Sequence, residues 1–551
     1  MFRKAVKISG NIVDIHKKII YPGILEISGG KIVNILKTDD KYDTYIIPGL
    51  VDAHIHIESS MLVPSEFARL AVAHGTVATV SDPHEITNVL GIDGVRYMLA
   101  NGAKVPFKFY FGAPSCVPAT GFETAGAEIA AAEIKYLFQK YRLKYLSEMM
   151  NFPGILTDDP VELAKIRVAK DFDKPIDGHA PGLTGGDLLK YVQAGISTDH
   201  EAFKPEEGRE KIKAGMSILI REGSAAKNFK ELNCLIGESP EHCMLCCDDK
   251  HPNELLKGHI DVVVKTALQM GYDKFEVLRC ASLNPVRHYG LDVGLLRIGD
   301  PADLAIIDNF EKFTVIKTYI GGQLVAAKGK CLFTRVKSGT INNFQAKPKN
   351  PADFAVKAQP GRLKVIEVID GELITKKVMM APKVVDGYAI ADPERDLLKI
   401  AVINRYRDRP PTVAFIKNFG FKKGAVASSV AHDSHNIIAI GVSDRDIAGA
   451  VNLVIRNKGG LAVVCDDIAE ILPLPVAGLM SAEDGHLVAA KYEELALLAR
   501  EMGSTLKDPF MTMSFMTLLV IPELKLSDQG LFDGQNFKFT GLFAENSVPN
   551  L

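Results

Sequence analysis

The sequence predicts an α/β protein with three parts: a (β/α)8 TIM-like barrel, a small composite β-sandwich domain and an additional C-terminal α/β domain. Three observations carry this expectation. Between about residues 47 and 295 a short apolar strand followed by a helical segment recurs eight times, which is the arithmetic of a (β/α)8 barrel. Stretches on either side of it alternate apolar and polar positions and are punctuated by glycine. Beyond a loose interval rich in Pro, Asn and Lys the chain resumes with a mixed α/β texture. At 551 residues the chain exceeds what one ordinary core can organise. The expected division is 1–46 plus 296–340 for the sandwich, 47–295 for the barrel, 341–361 for a linker and 362–551 for the C-terminal domain.

The first part alternates as Ile24-Leu25-Glu26-Ile27 and Lys31-Ile32-Val33-Asn34-Ile35, with turns at Gly10, Gly23 and Gly29-Gly30. These are short antiparallel strands. The same texture returns at Asp303-Leu304-Ala305-Ile306-Ile307 and Gln323-Leu324-Val325, so the two pieces can pair.

In the barrel, function collects at the C-terminal ends of the strands. Those ends are His54/His56, Ser81 to Glu85, Phe111-Gly112-Ala113, Ser147-Glu148, Asp177-Gly178-His179, Asp199-His200-Glu201, Ile220-Arg221-Glu222 and Cys247-Asp248-Asp249. Residues i and i+2 of a strand share a face, so His54 and His56 present two imidazoles toward one point. Gathering the strand ends gives His54, His56, Glu148, His179, His200 and Asp248. Four imidazoles and two carboxylates at one mouth suit two divalent ions with a bridging carboxylate. Coordination lowers the pKa of bound water from about 16 toward about 7, so hydrolysis is the natural use. Arg221-Glu222 is expected to form an ion pair supporting the mouth.

In the C-terminal part a helix is signposted by Ser443 as cap, Asp446 three residues on, and apolar Ile447, Ala450, Val451, Val454 and Ile455 before Gly459-Gly460. A second is expected over 481–503. The apolar run Met511 to Ile521 is far short of the ~20 residues a membrane span needs and reads as a buried strand closed by Pro522.

Composition narrows the partners. With 65 Lys+Arg against 67 Asp+Glu and a formal charge of −2, nothing calls for nucleic acid or an anionic membrane. The first residues, Met1 to Gly10, lack the apolar core of a secretory signal, and eight cysteines are too sparse for a disulfide framework. A cytoplasmic protein with reduced thiols is expected.

The motifs resemble a known family. Pro48-Gly49-Leu50-Val51-Asp52-Ala53-His54-Ile55-His56 resembles the metal-dependent amidohydrolase superfamily. Val80 to Ile86, Glu148-Met149-Met150-Asn151, Gly178-His179-Ala180-Pro181-Gly182, Asp199-His200-Glu201 and Ala431-His432-Asp433-Ser434-His435-Asn436 are similar to its adenine deaminase branch, over nearly the whole chain. The resemblance implies hydrolysis of adenine to hypoxanthine and ammonia, and a homodimer. It implies two divalent ions, Mn2+ or Fe2+ before Zn2+, with His54 and His56 on one, His179 and His200 on the other, and Glu148 bridging where many relatives use a carbamylated lysine. Asp248 would bind a metal and move protons from water to the leaving ammonia. Attack at C6 of adenine pushes charge onto N1, so an acid must protonate N1. Glu85, beside His84, is the candidate acid, and His84 and Asp249 are candidate substrate contacts. His432 and His435 suit either a loop over the barrel mouth or a structural turn.

Three other identities fit the sequence less well. Nucleobase deaminases of another fold carry H-x-E and P-C-x-x-C around one zinc; here His56-Ile57-Glu58 lies most of a barrel from Cys243-Met244-Leu245-Cys246, and His242 stands where Pro is required. A cyclic-amide or N-acetyl hydrolase of the same superfamily is disfavoured by Glu148. A non-catalytic scaffold would have lost ligands.

Overall fold

The structure, a computed structural model, describes residues 6–544. Strands Val6–Asp14 and Lys31–Lys37 flank Ile19–Ser28, each antiparallel to it. The last two are joined at Gly29-Gly30, whose φ values of 59° and 83° fall where glycine carries no steric penalty. Tyr45–Pro48 pairs parallel to the first of these strands and antiparallel to Leu304–Ile307. Val315–Ile320, Gln323–Ala327 and Lys330–Cys331 extend the same eight-stranded sheet. The alternation in the sequence becomes one buried face, where Ile8, Ile12, Leu25 and Ile27 meet Leu304 and Ile306.

The middle of the chain alternates strands and helices. Leu50–His56, Thr76–Ser81 and Lys108–Phe111 run parallel, with Asp248–Asp249 on the outer side of Leu50–His56. Leu146–Met149 pairs with Ile176–Gly178, and Thr198–Asp199 with Ser217–Arg221 and then Cys243–Cys246, again in parallel. A bridge from Ala113 to Leu146 joins the first group to the second. Every residue of Leu50–His56 and Thr76–Ser81 is buried, as in parallel strands covered on both faces. Where strands come closest, side chains must vanish: a Cβ on Gly178 would lie 2.4 Å from the Thr198 carbonyl oxygen. Glycine there lets the strand carrying His179 lie against the strand leading to His200.

Beyond residue 360 a second eight-stranded sheet runs from Thr375–Met380 at one edge to Ile468–Pro473 at the other. The helix Asp444–Arg456 lies on it, burying Ile447, Ala450, Val451 and Val454 against Ala401, Ala425, Ala427, Ala439 and Ala462; small sheet residues let the helix approach. The Ser443 hydroxyl accepts from the Asp446 amide at 3.1 Å, as its spacing predicts. Ser443→Ala is expected to lower unfolding free energy by about 1 kcal/mol, measured by urea titration.

The second helix spans Gly485–Glu501, starting later than expected. Ser481 is held extended by backbone hydrogen bonds to Met61 and Val63, and Asp484 caps the helix through the His486 amide at 3.0 Å. The expected strand over 511–521 is instead a helix, Pro509–Ser514, and a 3-10 turn, Phe515–Thr517. Pro509 at the first helical position and Asp508 capping the Met511 amide at 3.0 Å decide it; a short apolar run alone does not separate buried helix from strand. The 341–361 interval has little regular structure, yet Phe354 is fully buried and its carbonyl accepts from the Lys399 ammonium at 3.0 Å. Among the described residues no helix is long and apolar enough to cross a membrane.

Candidate active site

Side chains from the ends of five parallel strands meet at the Glu148 carboxylate. His54 and His56 leave the first strand on one face, and Asp52, two residues earlier, anchors that strand by pairing with His259 at 2.9 Å and accepting from the Cys247 amide at 3.1 Å. Glu148 Oε1 lies 3.3 Å from His56 Nε2 and 3.9 Å from His54 Nε2. Its Oε2 lies 2.8 Å from His179 Nδ1 and 3.2 Å from His200 Nε2. One carboxylate thus presents one oxygen to each pair of imidazoles. Asp248, held at φ 59°, brings Oδ1 to 3.3 Å from His54 Nε2 and 3.1 Å from His56 Nε2.

All six side chains are buried, the most exposed being Asp248 at 6%. Both ring nitrogens of His54, both of His84, Nε2 of His179 and Oδ2 of Asp82 have no hydrogen-bond partner. Buried polar atoms are normally satisfied, so His54 Nε2, left without a hydrogen bond beside the Glu148 and Asp248 carboxylates, is what a cation would complete. Donor atoms of His54, His56 and Asp248, of His54, Glu148 and His200, and of His179, His200 and Glu201 each lie within 4.8 Å of one another. Imidazole plus carboxylate without thiolate suits Mn, Fe or Zn, so the residues fit the metal that the sequence implies.

A second layer of charge holds this cluster. Arg221, 1% exposed, hydrogen-bonds through one guanidinium nitrogen to both Glu201 and Asp248. Burial works to raise the Glu201 carboxyl, but Arg221, His179 and His200 overcome it and bring it down to about 2. Arg221 therefore does not pair with Glu222 as the sequence suggested. Adjacent strand residues point to opposite faces, and Glu222 turns toward Lys227 at 3.3 Å. Glu201, Arg221 in this role and Asp82 were not singled out from sequence. The signal for Glu201 was its place in Asp199-His200-Glu201, directly after a proposed ligand.

The other wall joins two distant parts of the chain. Glu85, in the first turn of helix His84–Leu90, takes a hydrogen bond from His432 Nδ1 at 2.7 Å and another from His435 Nε2. His432 stacks on Phe515 with centroids 4.5 Å apart. Burial opposes charge on Glu85, yet His432, His435 and His84 hold it well below the carboxylate range. His84 stands between the two clusters, with Nδ1 3.5 Å from Glu148 Oε1 and Nε2 3.5 Å from Glu85 Oε1. Asp249 accepts from the Ser59 hydroxyl. His84, Glu85, Asp249, Glu148 and His432 line one cavity of about 30 Å3. By contrast Glu58 of the H-x-E decoy caps the Ile86 amide at 3.2 Å, and Cys243 and Cys246 lie buried in their own strand.

The His432–Glu85 pair has a pH signature. Burial works against charge on His432, but Glu85 more than offsets it and raises the imidazole from 6.5 to about 9. A raised histidine stabilises fully below its unfolded value and loses that contribution as pH rises through its folded value. The stability gap between wild type and His432→Asn is therefore expected to be widest near pH 6 and to shrink between about 6.5 and 9, measured by urea unfolding across that range.

Comparison with known proteins agrees with this geometry. Residues 45–325 match the amidohydrolase family and residues 372–538 the adenine deaminase C-terminal domain. The chain is 53% identical over 540 residues to the adenine deaminase of Salinibacter ruber, covering 98% of this chain and 99% of that one. It is 56% identical over 535 residues to that of Sulfurovum sp., covering 97% and 99%, and 53% identical over 545 residues to that of Methanosarcina barkeri, again covering 97% and 99%. With both halves matched and such identity sustained end to end, the chain belongs to the adenine deaminase family of metal-dependent amidohydrolases.

Proposed function

We propose that this protein hydrolyses adenine to hypoxanthine and ammonia in the cytoplasm, at the cluster centred on Glu148. The observation that carries the proposal is the pairing of His54 and His56 with one oxygen of Glu148 and of His179 and His200 with the other. His54, His56 and Asp248 would hold one divalent ion, His179 and His200 the second, and Glu148 would bridge them. Manganese or iron is preferred over zinc. What the metals supply when bound is an acidified water at neutral pH.

The chain's own residues do the rest. Water adds at C6, the C6–N6 bond breaks, and ammonia leaves. Asp248, whose Oδ2 is fixed by Arg221, takes the proton from the water and returns it to the departing amino group. Charge that builds on N1 is met by a proton at Glu85, replenished from His432, and the second proton of the water, lost from the C6 hydroxyl as the carbonyl forms, restores the one that this pair gave up. This revises the simple acid role: a carboxyl held so far down is ionised at rest, so Glu85 passes a proton that the imidazole stores. His84 and Asp249, which both line the cavity, orient the ring.

Around this site the proposed layout is a closed (β/α)8 barrel over 47–295, a composite sandwich of 1–46 with 296–340, and a domain over 362–551 reached through 341–361, working as a homodimer. A cyclic-amide substrate is disfavoured by Glu148 standing where such enzymes need lysine. A non-catalytic scaffold is disfavoured because all six ligand positions keep donors. The test is spectrophotometric: the manganese-loaded protein should shift adenine's absorbance to that of hypoxanthine and release one ammonia per base. Turnover of dihydroorotate or N-acetylglucosamine 6-phosphate in preference to adenine would overturn the assignment.

A further inference from the structure

Lys525 stands apart from every role assigned above. It lies in the short strand Leu524–Leu526, is fully buried, and has no carboxylate within 4.0 Å among the described residues. Its ammonium donates to two backbone carbonyls, Leu373 at 2.6 Å and Phe515 at 2.9 Å. An unpaired buried ammonium is costly, and burial alone brings this one down to about 7. A side chain kept at such a cost calls for a role, and its two acceptors suggest one.

Both acceptors belong to the wall of the catalytic cavity. Leu373 and Phe515 line the 30 Å3 space that holds Glu85, Glu148 and His432. Phe515 carries the His432 ring on its face. Leu373 sits at the tip of the hairpin between strands Leu363–Val368 and Thr375–Met380. The first residue after that tip is tied to the same region as Lys525, through Thr375 Oγ1 and the Leu524 carbonyl at 2.9 Å. The tip itself is exposed at 370–372 and at Ile374. Leu373 also lines a second cavity, of about 530 Å3, whose wall includes Glu201 and Arg221 on the inner side and the exposed Phe203 and Ile374 on the outer. Leu373 therefore stands as a partition between an outer chamber reaching the surface and the inner chamber where the chemistry is placed.

We propose that Lys525 is a positioning residue that fastens this partition, holding Leu373 and Phe515 against a flat, uncharged heteroaromatic ring that enters through the outer chamber. The proposal rests on the adenine reading of the inner cavity for the identity of that ring, but not for the fastening itself. Methionine at 525 preserves length and apolar packing while removing both hydrogen bonds. With the ammonium gone the fold loses a desolvation cost, so stability should hold or rise. The Leu373 carbonyl is released, and closure over substrate weakens.

The experiment compares manganese-loaded Lys525→Met, Leu373→Ala and the double variant with wild type. Lys525→Met should raise the KM for adenine about tenfold while kcat stays within about threefold, with metal content and melting temperature not reduced. Leu373→Ala should move KM in the same direction, and the double variant should be no worse than the more affected single variant, because Lys525 acts through the position of the side chain that Leu373→Ala removes. Hydrogen exchange over 369–375 should accelerate in Lys525→Met while the strand Ile437–Gly441 keeps its protection. An unchanged KM in Lys525→Met, additive effects in the double variant, or exchange accelerated throughout the C-terminal sheet would each overturn the proposal. If wild type does not deaminate adenine, the reading of the inner cavity fails while the exchange comparison still decides the fastening. If Lys525→Met does not fold, Leu373→Ala alone decides: a raised KM at constant kcat supports the partition and an unchanged KM refutes it.

Discussion

Glu148→Gln is expected to remove most of the metal and nearly all of the activity. The carboxylate serves both imidazole pairs at once, with Oε1 3.3 Å from His56 and Oε2 2.8 Å and 3.2 Å from His179 and His200. An amide keeps the shape but withdraws the negative charge and turns one oxygen into a donor facing donors. Metal-supplied stabilisation amounts to several kcal/mol, and each 1.36 kcal/mol is a factor of ten, so kcat should fall about a thousandfold or more. The check is elemental analysis beside adenine turnover, with circular dichroism showing an intact fold. Full metal and more than a tenth of the activity would mean that Glu148 is not the bridge.

Arg221→Met carries the largest expected effect on stability. Arg221 is the guanidinium through which Glu201 and Asp248 are both neutralised, and all three side chains are buried. Removing one member of a buried ionic group typically costs about 3–5 kcal/mol, because the remaining charge is left uncompensated. The cost should be largest in metal-free protein and smaller when manganese is bound, since a cation that binds only the folded state both stabilises it and relieves the carboxylates. Guanidinium titrations with and without metal measure both numbers. A loss under about 1 kcal/mol in the metal-free protein would show that the pair of carboxylates does not depend on Arg221. Activity should fall as well, because Asp248 Oδ2 loses the partner that orients it.

Much of this site could be read from the chain because strand geometry is so regular. His54 and His56 share a face by the two-residue repeat alone, and each segment expected to end a strand does so, from His56 through Glu148 and His179 to Asp248. The helix after Ser443 was equally plain, since its cap, its apolar spacing and its terminating glycines agree. Contacts that depend on which distant segments meet were not legible. Nothing local says that Glu85 would lie between His432 and His435, some 347 and 350 residues away. Neither does it say that Arg221 would reach past its neighbour Glu222 to Glu201 and Asp248. The 511–521 tract failed for a different reason: an unbroken apolar run has no period, and only the Asp508-Pro509 start distinguishes helix from strand there. Lys525 offered no signal at all, because its partners are backbone carbonyls and any sequence supplies those.

Everything proposed for this site depends on one carboxylate and four imidazoles organising a pair of metal ions. Anomalous diffraction from crystals of the manganese-loaded protein, collected on either side of the manganese edge, tests it most directly. Two peaks are expected beside Glu148, one bounded by His54, His56 and Asp248 and the other by His179 and His200. Manganese confined to other residues, with no density at Glu148, would contradict it.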